Sequence, residues 1–387
     1  MRDFVPDKIK NIKPSGIRKF FDVASEVKGA ISLGVGEPDF QTPWHVREQG
    51  IYALERGKTH YTSNAGLITL REEICNYVKR KYNLSYEPKK NVLITIGGSE
   101  AIDMIIRSTI TSDDEVIITK PCYVSYEPLV VLQGGSVKEI NLKSENKFKL
   151  TKEELLSNIT KKTKMIIMNY PNNPTGGIMT KADLEEIAPI LIEHDILVVS
   201  DEIYSELSYK ENHVSIASLP GMKERTIVIN GFSKAFAMTG WRLGYALGPE
   251  ELISQMTKIH QFAIMCAPTV SQYAAVEALK YGDDDVKLMR ESYNQRRLFC
   301  LDKLNEMGIE CFEPEGAFYL FPSIKKYGLS SEDFSMKLLN EEKLVVVPGT
   351  AFGDAGEGFI RISYAYSIES LTEAFKRLKR FVSKFNK

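Results

Sequence analysis

The stretch TKMIIMNYPNNPTGGIMTKADLEEIAPILIEHDILVVSDEIYSEL, residues 163–207, changes character three times. The apolar run MIIM gives way to a cluster of Pro, Asn and Gly, residue types that favour turns. A helical pattern follows, TKADLEEIAPILIEH, and then a second apolar run, ILVV. Strands alternating with helical patterns indicate α/β architecture with a mostly parallel sheet. The helix start carries its own mark, Thr180 with Asp183 three residues on, a capping box in its shorter-carboxylate form. Thr151 with Glu154 marks another helix start in the same way.

The alternation extends in both directions. NVLITI (91–96) leads to a helical segment beginning SEAIDMIIRSTI, DEVIIT (114–119) precedes KPCYVSYEPLVVLQGG, and TIVIN (226–230) precedes GFSKAF. These segments define a large α/β domain over residues 45–284. Beyond it the texture changes to a long polar helix pattern, VKLMRESYNQRRLFCLDKLNEMG, followed by GAFYLFPSI, KLVVVPG and FIRISYA. Residues 285–387 therefore read as a smaller α+β domain. Residues 1–44 contain a short helix pattern and ISLGVGEPDF but no core of their own, and are expected to join the C-terminal domain.

Composition excludes several functions. With 387 residues, 43% apolar content and a net charge of −1, the chain has no electrostatic footprint for nucleic acid or an anionic membrane. The start, MRDFVPDKIK, is charged and lacks the apolar core of a signal peptide. No apolar run approaches the ~20 residues of a membrane span. The five cysteines are odd in number, scattered and without a CxxC pair, and the five histidines show no HExxH spacing. A cytoplasmic, metal-free protein is expected.

In open α/β sheets ligands bind beyond the carboxyl ends of the strands. Four of those ends carry polar or permissive residues here. NVLITI ends on Gly97-Gly98-Ser99-Glu100, where glycines before a helix free backbone N–H groups for an anion. MIIMNY ends on Pro171-Asn172-Asn173-Pro174. ILVVS ends on Asp201, with Tyr204 close behind, and a buried carboxylate needs a partner or it neutralises. TIVIN ends on the Ser233-Lys234 loop, followed by Arg242 among small residues in TGWRLGY. A guanidinium there can grip a phosphate or carboxylate with two parallel bonds. Taken singly, each has a bland reading: a turn, a helix cap, a packed Tyr123, a solvated lysine or an exposed ion pair. In FIRISYA, Arg361 points away from Ile360 and Ile362, and a solvated strand face is its bland reading.

One ligand accounts for the set: a phosphate, an aromatic ring with a basic nitrogen and a phenolic oxygen, and an aldehyde. That is pyridoxal phosphate, whose protein signature is a Schiff-base lysine and a carboxylate partner for the ring nitrogen. The chain resembles the class I/II aminotransferases of the fold-type-I pyridoxal-phosphate superfamily, and within them the prokaryotic aspartate/aromatic subgroup. The motifs that carry the resemblance span most of the chain: LGVGEPDF (33–40), HYTSNAGLITLR (60–71), GGSEA (97–101), YPNNPTGG (170–177), SDEIYSEL (200–207), GFSKAFAMTGWRLGY (231–245), GAFYLFP (316–322), VVPGTAFG (346–353) and RISYA (361–365).

The resemblance implies that Lys234 holds the cofactor as a Schiff base; once released, its tethered amine is expected to act as the base at the substrate Cα. It implies Asp201 on the ring nitrogen, Asn173 and Tyr204 on the phenolic oxygen, and Tyr123 against the ring. The backbone of Ser99 and Glu100, with Arg242, would hold the phosphate. Arg361 would clamp the substrate α-carboxylate with Gly36 and Asn173. A homodimer is also implied, in which Tyr61 reaches the phosphate in the neighbouring subunit. The sequence departs from the pattern at Gly231, where many relatives carry a phosphate-binding serine; either Ser233 supplies a hydroxyl or the backbone suffices. The resemblance thus implies transfer of an amino group from an L-amino acid, of the aspartate, aromatic or a related kind, to a 2-oxo acid. The same cofactor could serve a β-eliminating carbon–sulfur lyase or a regulatory protein without catalysis. For the substrate side chain, Lys13 and Arg18 are candidate cations, and Phe20, Phe21, Phe318 and Tyr319 candidate apolar contacts.

Overall fold

The computed structural model describes residues 2–12, 14, 16–17 and 27–385. Lys13, Arg18, Phe20 and Phe21 lie outside the described residues.

A seven-stranded sheet organises the larger part of the chain. Its strands are β2 (Val92–Thr95), β3 (Glu115–Lys120), β4 (Ser136–Asn141), β5 (Thr163–Asn169), β6 (Leu197–Asp201), β7 (Thr226–Gly231) and β8 (Gly244–Leu247). They lie in the order β2-β8-β7-β6-β5-β3-β4. Only β8 runs antiparallel to its neighbours, β2 and β7. The sequence expectation of a mostly parallel α/β sheet is met. The strands read as unbroken apolar runs because both faces are covered. Along β7, Val228 joins the core on one face, while Ile227 and Ile229 join the core on the other.

Both capping boxes form. Thr151 and Thr180 each accept from the backbone N–H three residues on, and Glu154 and Asp183 reciprocate. The helix after β2 begins at Gly97 rather than at Ser99, and its Glu100 reaches back to the N–H of Ile96. Two strands were not foreseen. β4 is a largely exposed strand at the sheet edge with only Ile140 buried, and β8 begins at the end of TGWRLGY and runs on to Leu247. No helix separates β7 from β8. The intervening loop takes left-handed backbone at Ala237 and Arg242, which interrupts any helix.

The C-terminal part forms a second core around Phe318, Phe334, Leu371 and Phe381. Its strands are β9 (Tyr319–Leu320), β10 (Leu344–Val345), β11 (Val347–Pro348) and β12 (Ile360–Ser363). β12 is central in the three-stranded order β11-β12-β9. Near the N-terminus, β1 (Ile31–Ser32) pairs in parallel with β10, and Leu33 enters this second core. That pairing brings the 34–37 segment over the carboxyl edge of the large sheet, where Gly36 O accepts from Lys234.

Candidate active site

A cavity of about 390 Å³ opens at that edge, within the ordinary size range of small-molecule sites. Ten of the twelve residues given a catalytic, cofactor or carboxylate role from the sequence line it: Gly36, Ser99, Tyr123, Asn173, Asp201, Tyr204, Ser233, Lys234, Arg242 and Arg361. Two do not. Tyr61 is 77% exposed and points to solvent. Glu100 turns its carboxylate away, to Ile96 N and to Nδ1 of the fully buried His260 at 2.9 Å.

Lys234 follows β7 by three residues, and its Nζ donates to Gly36 O at 2.6 Å. Its amine lies 5.9 and 5.8 Å from the ring centres of Tyr204 and Phe318. The bland reading of a solvated lysine does not hold. Burial pulls its pKa down to about 8; Glu37 opposes this, Arg361 and Arg242 add to it, and Asp201 opposes it. At pH 7 about a tenth is therefore the free amine, the form that can take a proton, far more than for an ordinary lysine.

Asp201 is the last residue of β6. Its Oδ2 accepts from the Tyr126 hydroxyl at 2.7 Å and its Oδ1 from Ile203 N at 3.2 Å. Burial pushes its pKa up to about 6, against the pull of those hydrogen bonds. Among the described residues no cation bonds to it directly, so a cationic group placed in the cavity would satisfy it. Asn169, at the end of β5, ties two neighbours together. It donates to Asp201 O at 3.0 Å and accepts from Asn173 N at 2.9 Å.

Arg361 on β12 is 2% exposed, so the solvated strand face is also overturned. It donates to Asn173 Oδ1 at 2.8 Å and to Gly34 O. Its guanidinium lies between the rings of Tyr319 and Phe352, 4.4 and 4.7 Å from their centres. Its Nε is buried with no hydrogen-bond partner among the described residues, and burial lowers its pKa. Tyr319 also bonds Tyr204, hydroxyl to hydroxyl, at 2.8 Å. Gly36 has no space for a side chain because the Tyr319 hydroxyl occupies it.

The remaining corner is built on glycine. Gly97 has φ +71°, and a Cβ there would lie 2.8 Å from Arg242 Nη2. A Cβ on Gly244 would meet Gly97 C at 2.6 Å, and one on Gly231 would meet Gly244 Cα at 3.0 Å. The close approach of β7 and β8 makes any side chain at Gly231 a tight fit. The first turn of helix Gly97–Thr109 and the Arg242 guanidinium border one corner of the cavity, a pairing suited to an anion.

Pyridoxal phosphate fits these residues. The glycine corner with Arg242 suits its phosphate, the buried Asp201 its ring nitrogen, and the Lys234 amine its aldehyde. The partly unpartnered Arg361 is left for a carboxylate. Sequence reasoning missed Tyr126, Asn169, Glu37 and Thr239, whose hydroxyl donates to Glu37. Tyr126 falls three residues after Tyr123 in PCYVSYEP and opens the next helix. Asn169 was legible as the polar end of an apolar run.

A sequence model of the family described as "Aminotransferase class I and II" matches residues 28–378. An aspartate aminotransferase of Pyrococcus abyssi is 47% identical over 377 residues, covering 97% of each chain. An aromatic-amino-acid aminotransferase of Thermococcus litoralis is 46% identical, again over 97% of each. The structure of aspartate aminotransferase from Thermus thermophilus with maleate superimposes with a TM-score of 0.94 at 37% identity, covering 98% of this chain and all of that one.

Proposed function

We propose, for a chain that belongs to the class I and II aminotransferase family, that Lys234 carries the cofactor and moves the proton that decides the reaction. The protein is an aminotransferase, and pyridoxal phosphate is its cofactor. When bound, that cofactor supplies an aldehyde that joins covalently to amines and a protonated ring that withdraws electrons from the attached carbon.

Each residue has a task. Asp201 would hold the proton on the ring nitrogen. Asn173 and Tyr204 would bond the phenolic oxygen, and Tyr123 would cover a ring face. Backbone N–H groups of Ser99 and Glu100, with Ser233 and Arg242, would hold the phosphate. Arg361, with Gly36 and Asn173, orients the substrate through its α-carboxylate, which presents the Cα proton to Lys234. The tether gives the Lys234 amine a high effective concentration there. Tyr319 and Phe352 keep water from the guanidinium, which strengthens its grip on a carboxylate.

The observation that carries this reading is the convergence of Lys234, Asp201 and Arg361, from two separate sheets, on one cavity. The donor is an L-amino acid of the aspartate or aromatic kind and the acceptor a 2-oxo acid. We place the domain limits at 1–44, 45–284 and 285–387. The working unit is a homodimer in which Tyr61, exposed in the single chain, reaches the partner's phosphate site. Among the described residues no helix is long and apolar enough to cross a membrane, and all five cysteines are free. A cytoplasmic location agrees with the free thiols.

The test is the absorbance spectrum of the purified holoenzyme as single amino acids are added without any oxo acid. The cofactor band should shift with aspartate or an aromatic amino acid, and a Lys234→Ala protein should show no turnover. A band that no amino acid moves, or normal turnover in Lys234→Ala, would refute the assignment. Pyruvate and ammonia released from cysteine would mark elimination instead.

A further inference from the structure

Tyr126 opens the helix Tyr126–Gln133 and is 1% exposed. Its ring packs edge-on against Tyr123 at 5.6 Å between centres. Its hydroxyl has one hydrogen-bond acceptor, Asp201 Oδ2, at 2.7 Å. That bond spans 75 residues and joins the loop after β3 to the end of β6. It is the only side-chain hydrogen bond to the Asp201 carboxylate among the described residues.

We propose that Tyr126 is a positioning residue for the reaction: its hydroxyl fixes the Asp201 carboxylate against the ring nitrogen of the cofactor and favours the charged form of that carboxylate. The proposal rests on the assignment of Asp201 given above. The groups that face Asp201 are few. Glu202 is adjacent and disfavours its charge; Lys234 lies across the cavity and favours it. Tyr204 is a further buried phenol whose own ionisation Asp201 opposes. Burial works against the Asp201 charge, and the Tyr126 bond is the largest influence opposing burial. Tyr126 itself stays a donor, since burial and then Asp201 push its own pKa well above the usual phenol range. A buried phenol that stays protonated, packed edge-on against Tyr123, restrains the carboxylate in both angle and charge.

The experiment compares four holoenzymes: wild type, Tyr126→Phe, Asp201→Asn and the double variant. Two quantities are read: the dissociation constant of pyridoxal phosphate, and the pH at which the bound cofactor changes its absorbance. Losing a hydrogen bond to a charged group predicts for Tyr126→Phe a dissociation constant raised about tenfold or more, and a transition moved up by about one pH unit. In the Asp201→Asn background the same substitution should leave both readouts unchanged, because the charge it served is gone. An unmoved transition in Tyr126→Phe, or an equal loss in both backgrounds, overturns the proposal and leaves Tyr126 a packing residue. If Asp201→Asn alone retains and titrates the cofactor as wild type does, the Asp201 assignment itself fails.

Discussion

Replacing Gly97 with alanine adds one methyl group where the chain has left no room. The first cost is in the backbone. At φ +71° an L-residue is strained by about 1–2 kcal/mol. The second is the contact of the new Cβ with Arg242 Nη2 at 2.8 Å. The guanidinium is the end of a flexible, exposed side chain, so it moves and the backbone does not. Arg242 is itself held at φ 51° with its Nη1 bonded to Thr239 O at 3.1 Å, so the displacement is felt at the anion corner. A charged hydrogen bond lost there is worth about 1.5–3 kcal/mol. At about 1.4 kcal/mol per tenfold, Gly97→Ala should weaken pyridoxal phosphate binding on the order of 100-fold. The assay is equilibrium dialysis of the cofactor against the apoprotein, with thermal melting of the apoprotein as the check on folding. Combined with Arg242→Ala, the two effects should fall short of their sum, because both remove the same contact. Unchanged retention in Gly97→Ala, or full additivity, would refute the view that Gly97 is glycine to make room for Arg242.

Three further outcomes are expected. Arg361→Lys keeps the charge but loses the planar fork and its seat between two rings, so amino-acid affinity should fall about 10- to 100-fold; binding of an amine without an α-carboxylate should not change, and equal loss for both would place the clamp elsewhere. Asp201 carries a charge that folding buries: its pKa rises from 3.8 to about 6, so apoprotein stability falls by roughly 3 kcal/mol as pH rises through that interval. The Asp201→Asn apoprotein should therefore melt higher than wild type at pH 8, with the gap closing toward pH 4; a constant gap would count against it. His45 bridges Glu277 and Asp285 at 3.1 and 3.0 Å. Burial lowers its pKa, but the two carboxylates outweigh this and the net shift is upward. That contribution is complete below about pH 6.5 and is lost as pH rises through the raised value. His45→Gln should flatten the melting profile between pH 6.5 and 8, and an unchanged slope would show the bridge to be inert.

The sequence by itself determined the elements and their chemistry, because both are local. An apolar run followed by turn residues is a strand end whatever surrounds it, and Thr151 and Thr180 carry their caps within four residues. The same locality made Lys234, Asp201 and Asn173 legible: each closes or follows a strand, and strand ends of a parallel sheet face one edge. What no local pattern contains is distance. Arg361 and Asn173 bond across 188 residues, a pairing that exists only once two sheets have docked, and Tyr126 reaches Asp201 across 75, a pairing that exists only once β3 and β6 share a sheet. Tyr126 reads as a core aromatic in any window of sequence. It becomes part of the site because helix Tyr126–Gln133 sets its hydroxyl against the end of β6. Burial is likewise a property of the assembled fold. It pulls a lysine pKa down to about 8 and pushes a carboxylate pKa up to about 6, since only the assembled fold removes the water that would otherwise solvate their charges.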